Sequence, residues 1–249
     1  MQHNYVTPQW PVPAQIKSVS TTRQPGFGTE PFNHFNLGTH VGDDPAVVEK
    51  NRAVLRSDCG LPSAPQWLNQ VHGCEVHRVD HVTESLPTAD ATWTNQPKCV
   101  LAIMTADCLP VLLASRSGDY IAALHGGWRG LAEGVVEATV DALPVPDPSH
   151  LIAWLGPAIG PQHFEVGLEV RSAFLKKSEN FRRCFVQAGA PDKYLANIFD
   201  IGRLCLRDAG VRAVHGGGTC TFKEKNRFFS HRRDAGKTGR MASLIWISP

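Results

Sequence analysis

Apolar positions recur along this chain in two rhythms. Ile16-Lys17-Ser18-Val19-Ser20-Thr21-Thr22 alternates and predicts a half-buried strand. Residues 75–79, 89–94, 100–105, 111–114 and 120–124 are short apolar or β-branched runs set close together. With no helix between them they predict hairpins in a mixed or antiparallel sheet. Further strands are expected over 151–155, 211–215 and 243–247. The helical rhythm starts at Asp44-Pro45, an N-cap followed by a residue suited to the first turn. That helix runs to Asp58 and ends at Gly60, with Val47, Val48, Val54 and Leu55 on one face and Asn51 and Arg52 between them. A helix over 130–143 carries a stripe of Leu131, Val135, Ala138 and Ala142, and residues 167–177 and 193–209 read as amphipathic helices. Strands outnumber helices and the order is not a regular βαβ alternation. The expected class is therefore α+β: a single domain over residues 1–249 with a large mixed β-sheet core flanked by helices.

Composition narrows the function classes. No apolar run reaches the roughly 18 residues of a membrane span. The start, Met1-Gln2-His3-Asn4-Tyr5, has neither a basic nor an apolar leader segment, so a cytoplasmic location is expected. The net charge of +2 with 19% charged residues lacks the concentrated basic patch of a nucleic-acid surface. Neither nucleic acid nor membrane is an expected partner. The seven cysteines are scattered without a Cys-x-x-Cys pair, which leaves reduced thiols as the expectation.

The candidate chemistry is carried by His72 in Asn69-Gln70-Val71-His72-Gly73, Cys108 in Thr105-Ala106-Asp107-Cys108-Leu109-Pro110, and His125 in Leu124-His125-Gly126-Gly127-Trp128-Arg129-Gly130. Each ends an apolar run that reads as a strand, and each is followed by Gly or Leu-Pro. Two imidazoles and a thiolate are a three-ligand set for zinc that keeps a fourth position open. The residues are far apart in sequence, so they converge only if adjacent strands of one sheet bring their ends together. Taken singly, a histidine is as readily a hydrogen-bonded structural residue, and a cysteine in an apolar run as readily core. The glycines after His125 let backbone approach a ligand, and Arg129 at the following helix start offers a donor fork for phosphate or carboxylate. Asp107 is placed to orient an imidazole or act as a base. Asn51-Arg52 either projects toward a ligand or forms a surface pair. In Phe228-Phe229-Ser230-His231-Arg232-Arg233-Asp234 the aromatic run is a pocket wall, with Ser230 and Arg232 as substrate contacts, or else a strand end beside an Arg–Asp network.

Together these segments, with Asn36-Leu37-Gly38-Thr39-His40-Val41-Gly42-Asp43-Asp44, Gly156-Pro157-Ala158-Ile159-Gly160-Pro161 and Thr238-Gly239-Arg240-Met241-Ala242, resemble the YfiH-like, or laccase-domain, family, in order over nearly the whole chain. That family carries an older polyphenol oxidase label and a newer link to purine nucleoside phosphorylase activity. The resemblance implies a zinc held by His72, Cys108 and His125, which with Asp107 form the catalytic group. It implies a YfiH-like α+β fold, and the substrate contacts expected from the residues are Arg52, Arg129, Ser230 and Arg232. It implies phosphorolysis of adenosine, inosine and S-methyl-5′-thioadenosine, deamination of adenosine, and a monomer or weak homodimer. The chain departs from the pattern at Gly126, where Ala is common. It departs again at Gln162-His163, where many members carry Cys, and at His231, where many carry Tyr. The chain lacks the His-x-Glu and Pro-Cys-x-x-Cys pattern of the known zinc deaminases, so deamination here would be an independent solution.

Three rival readings use the same residues. A metal-free cysteine hydrolase or amidase would use Cys108 as nucleophile with His125 or His72 as base, a chemistry suited to editing peptidoglycan precursors. A copper-dependent polyphenol oxidase would need several centres and a His-Cys-His sequence, which the chain lacks although it has 11 histidines. Copper at the His/Cys site remains a weaker alternative to zinc. A binding module without catalysis is disfavoured by an open, polar metal site.

Overall fold

The computed structural model describes residues 4–248. The alternating run at the start forms β1 (Ile16–Ser20). Helix α1 (Pro45–Asp58) begins where expected, with the Asp44 carboxylate accepting the Ala46 N–H at 2.8 Å. Its buried face is Val48, Asn51 and Leu55, so Asn51 lies on the core side instead of between apolar positions. Asn51 is accepted there because its amide is saturated: it donates to the carbonyls of His34 and Asn36 and accepts from Phe27 N–H.

The middle of the chain is strand-rich: β2 (Pro65–Gln66), β3 (Val76–Arg78), β4 (Ala91–Thr94), β5 (Val100–Thr105), β6 (Leu109–Ser115) and β7 (Ile121–Gly126). The helix expected over 130–143 is two helices, α2 (Trp128–Glu133) and α3 (Val135–Ala142). Gly134 divides them at φ +110, a left-handed conformation that closes α2 and cannot continue it. Then come β8 (Leu151–Leu155), β9 (Glu165–Gly167), α4 (Leu168–Lys177), β10 (Phe185–Gln187), β11 (Lys193–Ala196), α5 (Ile198–Asp208), β12 (Ala213–Gly216) and β13 (Met241–Ile247). The helix expected over 193–209 starts only at Ile198. Asn197 caps it from Oδ1, and the four residues before the cap pair with β9 and β10 instead.

The strands divide among three sheets: β1-β13-β5-β2, β10-β11-β9, and a mixed sheet β12-β8-β6-β7-β4-β3. Residues alternate across the mixed sheet, as the two-residue strand period requires. Val111, Leu113 and Leu124 face α2 to α5, while Leu112, Ala114 and Ala123 face Leu101, Ile103, Ile245 and Ile247 of the four-stranded sheet. The outer side of that sheet, with Ala102 and Leu244, packs on Leu55 of α1. The layers run helices, mixed sheet, four-stranded sheet, helix. Strands β4 to β8 and β13 are buried along their whole length, so they read as continuous apolar runs without alternation, whereas the edge strands β1, β3 and β12 keep exposed or half-exposed positions. No helix among the described residues is long and apolar enough to cross a membrane.

The hairpin reading, in which residues 100–105 and 120–124 flank 111–114, and the placing of His72 and Cys108 at strand ends are both corrected by this arrangement. β5 does not flank β6; it pairs with β13 and β2, and the chain changes sheet across residues 106–108. His72 and Cys108 do not end strands: His72 lies in the loop between β2 and β3, and Cys108 lies in the link between β5 and β6.

Candidate metal centre

Register brings two of the three ligand candidates together. In the β6–β7 pair Pro110 lies opposite His125 and Leu109 opposite Gly126, so Cys108, one residue before β6, arrives beside Gly127. His72 reaches the same point from its loop. Its Nε2 is 3.8 Å from Cys108 Sγ, and its ring meets the His125 ring edge-on with centroids 4.7 Å apart. The ligand atoms of His72, Cys108 and His125 all lie within 4.8 Å of one another.

Asp90 organises this cluster. It is fully buried. It accepts the N–H groups of Val71 at 3.0 Å, His72 at 2.9 Å and Gly73 at 2.7 Å, which pins the loop and holds His72 at φ +65. Its Oδ1 is also 2.7 Å from His125 Nδ1. A carboxylate only accepts, so Nδ1 carries the proton and Nε2 is the nitrogen left to ligate. Burial works against ionised Asp90, but His125 and the loop amides outweigh it and hold the carboxyl below its ordinary value. Burial likewise disfavours the Cys108 thiolate, yet the charge and hydrogen bond of His125, then those of His72, pull the thiol down. The same pairing with Cys108 and Asp90 pushes His125 up against its own desolvation.

The donor set fits a metal. A readily formed thiolate and two imidazoles, one of them oriented by a carboxylate, suit zinc and also suit copper. Gly127 leaves the space: a Cβ there would fall 2.7 Å from His72 Cδ2 and 3.5 Å from Cys108 Sγ.

The cluster lines a cavity of ≈ 480 Å³, a size that suits a small-molecule site. Trp128, Ile159, Phe164 and Ile198 give it apolar walls, and His40, Arg129, His231, Arg232 and Arg240 give it polar ones. Arg129 lies over the Trp128 ring, 4.5 Å from its centroid. Arg232 donates to the Glu165 carbonyl at 2.8 Å. Asp107 also borders the cavity, but its carboxylate is occupied: it accepts from Thr221 Oγ1 at 2.6 Å, Ser230 Oγ at 2.9 Å and Arg232 N–H at 2.7 Å. Ser230 is buried behind it. Arg52 is elsewhere, donating to the Leu37 carbonyl and lying 4.3 Å from the Trp67 centroid. His163 stacks on Phe222 beside Cys220 and is not part of the cavity wall.

Sequence reasoning passed over Asp90, His40, Trp128, Phe164 and Arg240 as site residues. For Asp90 a signal existed: a lone acid inside the apolar run Ala89-Asp90-Ala91-Thr92 must find partners if that run is buried.

The sequence model of the family described as multi-copper polyphenol oxidoreductase laccase matches residues 17–248. The chain is 49% identical over 243 residues to a purine nucleoside phosphorylase of Pseudomonas aeruginosa, covering 98% of each. It is 48% identical over 242 residues to the purine nucleoside phosphorylase YfiH of Escherichia coli, covering 97% of this chain and 98% of that one. A solved Neisseria meningitidis protein of the DUF152 family superposes with a TM-score of 0.94 at 44% identity, over 99% of this chain and all of its own.

Proposed function

The chain belongs to the YfiH-like, laccase-domain family, and on that premise we propose that it cleaves purine nucleosides with phosphate, taking adenosine, inosine and S-methyl-5′-thioadenosine. A phosphate oxygen bonds to C1′ of the sugar and the C1′–N9 bond breaks. The base leaves with the electron pair and gains a proton on nitrogen. The observation that carries this reading is one cavity lined at once by the His72–Cys108–His125 cluster, by aromatic faces and by arginines. Relatives that bear the phosphorylase name over nearly their whole length support it.

Within the site, Trp128 and Phe164 offer faces for the purine. Asp107 is a positioning residue that ties the 230–232 segment to the cavity edge. His72, Cys108 and His125 hold zinc, which when bound supplies Lewis-acid polarisation at neutral pH. Seven cysteines, none in a disulfide, suit a reducing compartment and support cytoplasmic residence.

The test is metal analysis by mass spectrometry on untagged protein, with nucleoside turnover measured with and without phosphate in the same preparation. Stoichiometric zinc and phosphate-dependent release of base with sugar 1-phosphate are expected. Inosine formed from adenosine without phosphate would add deamination at the same site. Full turnover by Cys108→Ala with its metal content unchanged would refute the scheme.

One observation favours a second reading. Cys108, His125 and Asp90 stand in the order nucleophile, base and orienting carboxylate. A thiol hydrolase would stay active after metal removal and lose activity on alkylation of Cys108; a metal-dependent phosphorylase would already be inactive before alkylation.

A further inference from the structure

Three arginines line the cavity, and their surroundings differ. Arg129 is exposed and rests on Trp128. Arg232 spends a donor on the Glu165 carbonyl and lies 5.7 Å from the Phe164 centroid. Arg240 is partly buried and, among the described residues, forms no ion pair with a carboxylate.

Its placement is nevertheless tightly set. The main-chain N–H donates to Asn36 Oδ1 at 2.8 Å, and the carbonyl accepts from Leu37 N–H at 3.2 Å. Nη1 donates to the carbonyls of Thr238 at 3.0 Å and Gly239 at 3.1 Å, which orients the guanidinium. Nε and Nη2 have no acceptor among the described residues. The stem crosses Gly38, where a Cβ would fall 2.9 Å from Arg240 Cγ and 3.4 Å from His40 Cε1. That glycine therefore lets Arg240 and His40 stand side by side on one wall of the cavity.

A partly desolvated guanidinium with an open fork and no carboxylate ion pair is costly to leave alone and is matched by a phosphate oxyanion. Burial lowers the pKa of Arg240, opposed only by the charges of Cys108 and Asp107. We propose that Arg240, with His40, forms the subsite for inorganic phosphate in this cavity, which the metal-ligand thiol also lines. The assignment rests on the phosphorolysis reading. It takes this role from Arg129, the donor fork expected for phosphate, which is exposed over Trp128, and from Arg52, which the fold directs to Leu37 and Trp67.

The experiment is calorimetric titration of metal-loaded protein with inorganic phosphate, paired with steady-state phosphate and nucleoside KM. The variants are Arg240→Lys, Arg240→Ala and His40→Ala, with Arg78→Ala, an exposed arginine paired with Asp80, as the charge-loss control. Arg240→Lys keeps charge and stem but loses the fork. It is expected to weaken phosphate binding and raise phosphate KM by roughly tenfold or more, with nucleoside KM and metal content held. His40→Ala gives a smaller loss in the same direction, and it decides the matter with Arg240→Lys if Arg240→Ala fails to fold. Phosphate affinity in Arg240→Lys and His40→Ala equal to wild type would overturn the subsite. So would wild-type protein that binds no phosphate. Tighter binding of adenosine 5′-monophosphate than of adenosine, lost in Arg240→Lys, would reassign the subsite to a phosphate ester and overturn its assignment to free phosphate. If wild type shows no phosphate-dependent cleavage, the phosphorolysis reading falls, and the calorimetric arm still decides whether Arg240 binds phosphate.

Discussion

Replacing Asp90 with Asn tests whether one buried carboxylate assembles the cluster. The wild-type side chain accepts four donors: Val71, His72 and Gly73 N–H groups and His125 Nδ1–H. Asn is nearly isosteric but presents one oxygen and one NH₂. Whichever way it turns, about half of the four donors face an N–H instead of an oxygen. A hydrogen bond to a charged group contributes about 1.5–3 kcal/mol, so two lost bonds amount to about 3–6 kcal/mol if additive. The bonds share one residue and one loop, so relaxation brings the expected total to about 2–4 kcal/mol, divided between folding and metal affinity. With the oxygen on the Oδ1 side, His125 and His72 keep their bonds while Val71 and Gly73 N–H lose theirs and the loop loosens; with it on the Oδ2 side, Val71 and Gly73 keep theirs while His125 loses its orienting partner and His72 N–H its acceptor. Both outcomes weaken zinc binding, and loss of such an orienting partner costs roughly 10–100-fold in affinity. Competition against a chromophoric chelator measures that affinity, and thermal unfolding with and without zinc separates it from folding stability. Zinc affinity within about twofold of wild type in a folded Asp90→Asn protein would refute the assignment, since even one lost charge-assisted bond exceeds that.

Gly127→Ala places a Cβ at 2.7 Å from the His72 ring and is expected to displace that ring, lowering metal occupancy by mass spectrometry while the circular dichroism stays native. Burial pushes the Cys205 thiol up to about 12 and the Cys59 and Cys184 thiols up to about 11. Iodoacetamide mapping of the folded, metal-free protein should therefore leave all three unlabelled and modify Cys108, with added zinc slowing the Cys108 reaction. Burial raises Asp234, but hydrogen bonds from Arg233 and Thr238 outweigh it and hold the carboxyl below its ordinary value. The folded state then binds fewer protons than the unfolded chain near about pH 4, so this contribution is present above that pH and lost as pH falls through the folded value. Asp234→Asn should flatten the acid limb of a stability–pH curve; an unchanged limb would exclude the contribution.

Local chemistry was readable from sequence where it acts locally. Asp44-Pro45 starts α1 because a side-chain cap and a fixed φ need no tertiary help. β5 and β8 fall on the expected residues because an apolar run bounded by polar turns is informative by itself. Strand partners were not readable. β5, β6 and β7 are buried on both faces, so nothing in their composition says that β5 joins a different sheet. The strand Lys193–Ala196 was hidden because Asn197 reads equally as a helix interior and a cap, and only the β9 and β10 edges decide it. The trio His72, Cys108 and His125 was visible as residue types in glycine-rich surroundings. The roles of Asp90 and Arg240 were not, because Asp90 takes its partners from residues 71–73 and 125 and the main chain of Arg240 is held by Asn36 and Leu37, all distant in sequence.

The centre is therefore encoded less in its three ligands than in the register that aligns them. Ala91 of β4 pairs with Leu124 of β7, which sets Asp90 beside His125, and His125 N–H donates to the Asp90 carbonyl at 2.7 Å. Pro110 of β6 pairs with the same His125 from the other side. One residue of β7 thus fixes the orienting carboxylate on one neighbour and the thiol on the other. His72 has no strand of its own and is carried in by the loop that Asp90 binds. A one-residue slip of β7 would turn His125 to the opposite face and part it from both Asp90 and Cys108. The slip is resisted by the apolar pattern of the same strands, because Leu124 and Ala123 would exchange the helical layer for the four-stranded sheet. Core packing and ligand geometry are in this way specified by the same register, which is why scattered residues can form a precise site without a compact motif.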